Sequence, residues 1–438
     1  MSVAERGRVA GLRALTRLAG SDLLDRTGMR THVERALHRS SKNGFRAAVA
    51  AGRTFNAASK LARPARQPSA SGRQLFDLTP DDEQSMLVEA VSDFAATAVR
   101  PAAADADAAA ETPRELIEQA GELGLTILGI PEELGGVMAE RSAVTAVLAA
   151  EALAHGDMGI AFAVLAPGAV ASAIGLWGDA DQQAKYLPPF TGEHAPAAAL
   201  ALLEPRPAFD PLALATKARR DGEDWVISGV KSLVPRASSC ELFVVAADVA
   251  GEGPSLFVLE AGVSGLYSER EPAMGLRAAS TARLVMEDVR VGADARMDAR
   301  ERGSYEQCVH RARLGWCALA SGTAKAVLDY VIPYVKEREA FGEPISNRQA
   351  VAFAVADIAI ELDGMRLATW RAASRADQGK SFAREAALAR SLCTRHGMRI
   401  GSEGVQLLGG HGYVKDHPVE RWYRDLRAIG VMEGALLA

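Results

Sequence analysis

The chain has 438 residues, 48% hydrophobic and 24% charged, the profile of an ordinary soluble globular protein with room for about two to four domains. Its four cysteines (Cys240, Cys308, Cys317, Cys393) are scattered and form no C-x-x-C pair. That argues against a disulfide framework and against a zinc site, and it fits a reducing compartment. The net charge of −5 hides an asymmetry: residues 1–73 hold 15 Lys and Arg against 4 Asp and Glu, so a +11 arm precedes a −16 body.

In the arm, Leu12, Leu15, Leu23 and Leu24 recur at helical spacing with Arg between them. Short amphipathic helices are expected, ordered by docking rather than alone. A Pro/Ser/Gly-rich linker, Arg63 to Arg73, closes the arm. No compact apolar h-region marks a signal peptide. Bacterial cytoplasm is the expected location, with the mitochondrial matrix second because the start is Arg-rich and acid-poor. Three targets suit the arm: the acidic body of a neighbouring subunit, an anionic membrane surface, or nucleic acid. The first is preferred and no nucleic-acid partner is expected; membrane contact stays open.

Thr79-Pro80-Asp81-Asp82 reads as a helix start, with Thr79 as N-cap and Pro80 at the first helical position. The pattern is helical from there to about His194, broken at Pro131, Gly135-Gly136 and Pro188-Pro189. Met158 to Gly178 carries no charge and is long enough to span a bilayer. Pro167, several small residues and the bounding Asp157 and Asp179 favour a pair of buried core helices instead. From about Ala195 to Arg300 the texture changes. Asp224–Ser228, Glu241–Val245, Ser255–Leu259 and Arg283–Val289 are short, β-branched or aromatic, and separated by glycine-rich turns. They predict an antiparallel sheet or barrel. After Ser304 long helices return. Leu328, Val331, Val335 and Arg338 share a face, so Arg338 is expected either to meet an anion or interface or to snorkel at the core edge. Val351, Val355, Ile358, Leu362 and Met365 form a bundle-core stripe. No histidine or cysteine spacing predicts a metal.

The last informative run is Gln406 to Ala435. It holds Gly409-Gly410, the cluster Arg421, Arg424 and Asp425, and then Glu433 between Met432 and Gly434. A carboxylate among apolar and glycine neighbours has little local polar support and suits a general base, although a lone Glu is more often a solvated charge.

These motifs resemble the acyl-CoA dehydrogenase family. Arg338-x-x-Phe341-Gly342 with Ile345 and Gln349 is similar to its first signature, and Gln406-x-x-Gly409-Gly410 with Arg424-Asp425 to its second. Glu433-Gly434 falls where the family has its catalytic Glu-Gly. Weaker resemblance reaches back to about Phe76. The resemblance implies an α+β fold in three parts: an N-terminal helical domain (76–194), a central antiparallel β-domain (195–300) and a C-terminal four-helix bundle (301–438), with residues 1–75 as an added basic extension. It implies FAD as cofactor, an acyl-CoA substrate, an electron-transfer flavoprotein as acceptor, and a homo- or heterotetramer built as a dimer of dimers. Glu433 would be the base that removes the α-proton. Arg313 and Gly434 would contact the substrate. Arg338, Phe341, Arg348, Gln349, Gln406, Gly409 and Gly410 would reach a neighbour's FAD, and Glu204, Asp210 and Leu233 would serve the chain's own. An alternative base one residue before Arg313 is absent, because that residue is Ala312.

The flavin side departs from the family pattern at Leu203, Phe209, Pro235 and Ala435, where hydroxyl-bearing residues are expected. Each lost hydrogen bond is worth about 0.5–1.5 kcal/mol net. Arg206 and Arg236 are the candidate replacement donors. Two readings follow: an FAD-dependent acyl-CoA dehydrogenase, or a half-site subunit that completes a partner's FAD site.

Overall fold

The structure, a computed structural model, describes residues 79–136, 141–192, 195–297 and 303–438. The basic arm, with its leucines and linker, lies outside the described residues.

The first helix, α1 (Asp82–Phe94), starts two residues later than Thr79 predicts. Asp81 is the N-cap: its side chain accepts from Gln84 N, and Gln84 reciprocates to the Asp81 backbone. A carboxylate cap with a glutamine three residues on outcompetes a threonine followed by proline. A short π turn (Ala95–Val99) leads into α2 (Arg100–Ala109), followed by α3 (Arg114–Glu122). Next come α4 (Ala143–Gly156), α5 (Met158–Trp177) and α6 (Ala180–Tyr186). The uncharged run is one helix, α5, rather than two. Pro167 sits inside it, and nearly every side chain is buried between the helical and sheet regions. Burial on all sides explains the lack of charge without a membrane. Asp157 starts α5 by accepting from Ile160 N at 3.0 Å.

Seven strands follow: β1 (Ala198–Ala201), β2 (Lys217–Asp221), β3 (Asp224–Val234), β4 (Leu242–Val249), β5 (Gly253–Glu260), β6 (Leu266–Arg270) and β7 (Ala282–Val291). They form one sheet in the order β1-β4-β2-β3-β7-β6, with β5 on β4. Most pairings are antiparallel; β1 and β2 pair with β4 in parallel. The β3–β7 register slips between Lys231 and Val234. That irregularity turns the chain into the Leu233–Arg236 segment, where Leu233 and Arg236 both take positive φ.

Helix α7 (Ser304–Glu337) packs against α4, α8 (Gln349–Asp377) and α9 (Ala383–Leu408). A two-residue hairpin pair, β8 (Glu339–Ala340) and β9 (Glu343–Pro344), joins α7 to α8, and α10 (Val419–Leu426) follows α9. The arrangement is helical, then sheet, then helical. Ile358, Leu362 and Met365 of the predicted stripe are buried, while Val351 and Val355 are partly so. Across α8 a second stripe of Phe353, Ile360 and Leu367 is exposed.

Candidate active site

Glu433 ends the run after α10 and is buried at 9% exposure. Arg313 of α7 grips it with both arms: Nε lies 3.1 Å from each carboxylate oxygen and Nη2 lies 2.9 Å from Oε1. Arg390 of α9 donates to the Met432 carbonyl at 2.6 Å and reaches Glu433 Oε1 at 3.5 Å. The expectation of little polar support is therefore corrected. Sequence neighbours are apolar, but helices α7 and α9 bring two guanidiniums to the carboxylate. Sequence reasoning missed Arg390. Its signal was a guanidinium next to the buried Ala386, Ala389 and Cys393 face of α9.

The backbone beside Glu433 is fixed. Trp316 Nε1 donates to Gly434 O at 2.8 Å. Gly434 has φ +72°, and a Cβ there would lie 2.6 Å from Leu202 Cβ, so both conformation and space call for glycine. Ala312, at the alternative base position, is fully buried.

The Arg/Asp cluster before Glu433 anchors its approach. Arg424 pairs with Asp107 of α2 at 2.8 and 2.9 Å, and Arg421 pairs with Asp157 at 2.9 Å. Asp425 accepts from Leu276 N at 2.6 Å. Burial, and then the neighbouring Asp157 charge, push the Asp425 carboxyl up to about 8. The cluster thus ties α10 to helices and to the loop before β7.

A second locus lies at the far end of α7. A cavity of about 640 Å³ is lined by Arg338, Phe341, Arg348, Gln406, Gly409 and Gly410, among others. Six of the predicted cofactor residues therefore converge. Arg338 is exposed there rather than snorkelling at the core edge. Phe341 is 95% exposed, and the Arg348 guanidinium sits 5.3 Å from its ring centroid. A Cβ on Gly409 or Gly410 would meet nothing. Gln349 begins α8 beside this cavity and does not line it.

The remaining predicted residues sit apart, on the sheet side. Glu204 is committed internally: it accepts from Ala215 N, Thr216 N and the buried Lys231 ammonium at 2.7, 2.8 and 3.0 Å. Its carboxylate staples the sheet side together. Burial outweighs that pairing at Lys231 and lowers its ammonium to about 8. Asp210 caps its own turn by accepting from Leu212 N. Leu233 packs against the main core. Of the two candidate replacement donors, Arg206 is occupied by the Ala213 carbonyl and Glu204. Arg236 bonds through its backbone, to Ala279 O and from Ser239, while its guanidinium makes no hydrogen bond or ion pair among the described residues and lines a cavity of about 480 Å³ with Glu111 and Arg114.

Three family models match in order: the acyl-CoA dehydrogenase N-terminal domain over 81–193, the middle domain over 199–289 and the C-terminal domain over 303–436. The chain belongs to the acyl-CoA dehydrogenase family. It is 35% identical over 369 residues to a bovine mitochondrial short-chain specific acyl-CoA dehydrogenase, covering 81% of this chain and 87% of that one. The human counterpart is 33% identical over the same coverage. Among solved structures, butyryl-CoA dehydrogenase from Megasphaera elsdenii superposes with a TM-score of 0.75 at 28% identity, covering 82% and 96% of the two chains. A chain from a structure of the electron transferring flavoprotein of Acidaminococcus fermentans superposes equally well at 30% identity, again covering 82% and 96%. This acyl-CoA dehydrogenase is therefore an FAD-dependent oxidoreductase by membership. The donor set at the 640 Å³ cavity fits the charged and adenine-bearing part of FAD: two guanidiniums, an amide, an exposed ring and open glycines. On the sheet side, the cavity that Arg236 lines also carries the hydroxyl-bearing Thr112, Ser238, Ser239 and Ser280.

Proposed function

We propose that the protein removes the α- and β-hydrogens of a short-chain acyl-CoA thioester to give the 2-enoyl-CoA, with an electron-transfer flavoprotein as acceptor. The observation that carries this is Glu433, a buried carboxylate on a clamped backbone between two guanidiniums. Glu433 takes the α-proton. Its own N–H, fixed by the Trp316 contact to the next residue, holds the thioester oxygen as charge develops there. Arg313 orients the carboxylate and must yield part of its grip for an oxygen to reach the α-carbon. When bound, FAD accepts the β-hydrogen as hydride. Arg338, Arg348, Gln406 and the Gly409-Gly410 turn would hold FAD, Gln349 would support them at the start of α8, and Arg236 would approach it from the sheet side. The short-chain substrate and the flavoprotein acceptor are supported by the names of the relatives.

The exposed Phe353, Ile360 and Leu367 stripe lies on the helix that begins beside the Arg338 cavity. It suits a second subunit, whose FAD that cavity would complete, and so a dimer or a dimer of dimers. Cytoplasmic location is supported by four buried cysteines that form no disulfide among the described residues. The +11 arm is assigned to the acidic body of a neighbouring subunit. Deleting residues 1–73 should change the size of the assembly; loss of anionic-liposome binding at unchanged size would favour a membrane instead.

The half-site reading retains one specific support: Leu203, Phe209, Pro235 and Ala435 leave few donors for the chain's own flavin. Anaerobic titration of the purified protein with butyryl-CoA tests both. Yellow protein that bleaches supports the dehydrogenase. Colourless protein that gains flavin only with a partner chain supports the half-site.

A further inference from the structure

The turn that carries Glu433 rests on a floor made by Leu202 and Leu203. Leu202 follows β1 and lies so close to Gly434 that a Cβ there would come within 2.6 Å of the Leu202 Cβ. Leu203 packs in one core with Met432 and Ala435, which flank Glu433 and Gly434. The main chain of this floor is held from β3, one carbonyl after the other. The Lys231 ammonium donates to Leu202 O at 3.2 Å, and Ser232 N donates to Leu203 O at 2.9 Å.

The Lys231 side chain is fully buried, where an ammonium is costly to desolvate. Glu204, the residue after the floor, supplies the counter-charge at 3.0 Å. Its carboxylate is itself locked by Ala215 N and Thr216 N at 2.7 and 2.8 Å. A buried ion pair adds little stability over well-packed apolar side chains of similar volume. What it adds here is direction. The ammonium is aimed at one carboxylate and one carbonyl, and the carboxylate at two N–H groups. The end of β1, the approach to β2 and the end of β3 are thereby fixed to one another beside Gly434.

We propose that Lys231 is a positioning residue for the reaction: locked to Glu204, it sets the place of the Leu202–Leu203 floor and so of the Glu433 carboxylate. The inference rests on the dehydrogenase reading and deepens it with a residue that acts on the base through the main chain. An error of about 1 Å at a reacting group costs about 10²-fold in rate.

The test neutralises both charges, Lys231→Met with Glu204→Gln, in the full-length flavin-loaded assembly, because Lys231→Met alone would strand a buried carboxylate. Hydrogen exchange of residues 432–436, read by mass spectrometry, should speed up by at least about tenfold while the remaining bundle peptides hold their rates. In butyryl-CoA turnover, kcat should fall by about 10²-fold with KM within about threefold of wild type. The isotope effect of α-deuterated butyryl-CoA should rise, because proton removal becomes slower than the other steps. A smaller folded fraction would lower kcat and leave the isotope effect where it was. Glu204→Gln alone keeps the ammonium and is made in parallel, so that a folded variant is in hand if the double one does not fold. It should show the same signature at smaller size, a few-fold in kcat. Unchanged exchange of 432–436, or a kcat and isotope effect equal to wild type, in a folded variant would overturn the positioning role. Faster exchange of 432–436 in the variants of a protein whose wild type dehydrogenates no acyl-CoA would leave the floor standing and sink the dehydrogenase reading.

Discussion

Arg313 and Glu433 sit 120 residues apart in sequence and share three contacts of 2.9 to 3.1 Å, so the carboxylate is held by a helix from the opposite end of its domain. The pair arises because α7 and the segment after α10 pack together, with Trp316 one turn along from Arg313 pinning Gly434. It gives the carboxylate one orientation, which proton abstraction needs before basicity matters.

Glu433→Gln keeps the size and most of the hydrogen bonding of the side chain and removes the base. Turnover of butyryl-CoA should fall by about 10²–10⁴-fold, the usual share of general base catalysis. Flavin content and enoyl-CoA binding should stay near wild type. Turnover within a few-fold of wild type would move the base elsewhere.

Arg313→Gln should act on the rate through the carboxylate it positions. Glu433 would retain only Arg390, which sits at 3.5 Å. A carboxylate displaced by about 1 Å costs about 10²-fold in rate. Arg313→Lys should recover part of kcat, because a charge returns without the two-armed geometry. If Arg313 served only to bind CoA, KM would rise and kcat would hold, and the positioning role would be wrong.

Much of this was legible in the sequence, for reasons that individual residues show. The helix–sheet–helix order followed from periodicity, because stripes such as Ile358, Leu362 and Met365 bury one face and leave the other wet. That Arg338, Arg348, Gln406 and Gly409 would come together was legible because charges and glycines recur in two short stretches, and they line one cavity. β1 was not, since Ala198–Ala201 has no β-branched residue and is a strand only through its pairing with β4. α5 read as two helices because Pro167 is a local breaker; continuous burial on both sides overrides it. The surroundings of Glu433 were the largest miss. Met432 and Gly434 describe its sequence neighbours, while Arg313 and Arg390 come from helices that only tertiary packing brings near.

The Arg338 cavity and the α8 stripe should fail together if a second subunit covers both. Ile360→Lys places a charge in the middle of the exposed stripe, six residues along the helix from Ala354, which lines the cavity. It should dissociate the assembly and lower bound flavin, read by light scattering and by the ratio of flavin to protein absorbance. Arg338→Ala should lower flavin content and leave the assembly size unchanged. Full flavin content in a monomeric Ile360→Lys protein would show that each chain holds FAD alone.

Asp425 makes stability depend on pH with a definite sign. Its carboxyl is 1% exposed and has Asp157 and Asp107 as like-charged neighbours, with Arg424 opposing them. Folded, it titrates at about 8 against an ordinary value of 3.8. Between those limits the native state keeps a proton that the unfolded chain has released. Stability from this group is therefore fully present below about pH 4 and declines as pH rises towards 8, by up to about 1.4 kcal/mol per pH unit. Glu151 and Asp157, both raised chiefly by burial, add to the decline with the same sign. Asp425→Asn fixes the neutral form and keeps an oxygen that can accept from Leu276 N. Thermal midpoints of wild type and Asp425→Asn at pH 5, 6.5 and 8 are the measurement. The variant should lead wild type least at pH 5 and widen that lead steadily as pH rises towards 8. Parallel curves across the range would mean that Asp425 is ionised in the native state, held by Arg424, and that the Asp107–Arg424–Asp425 cluster carries its full charge.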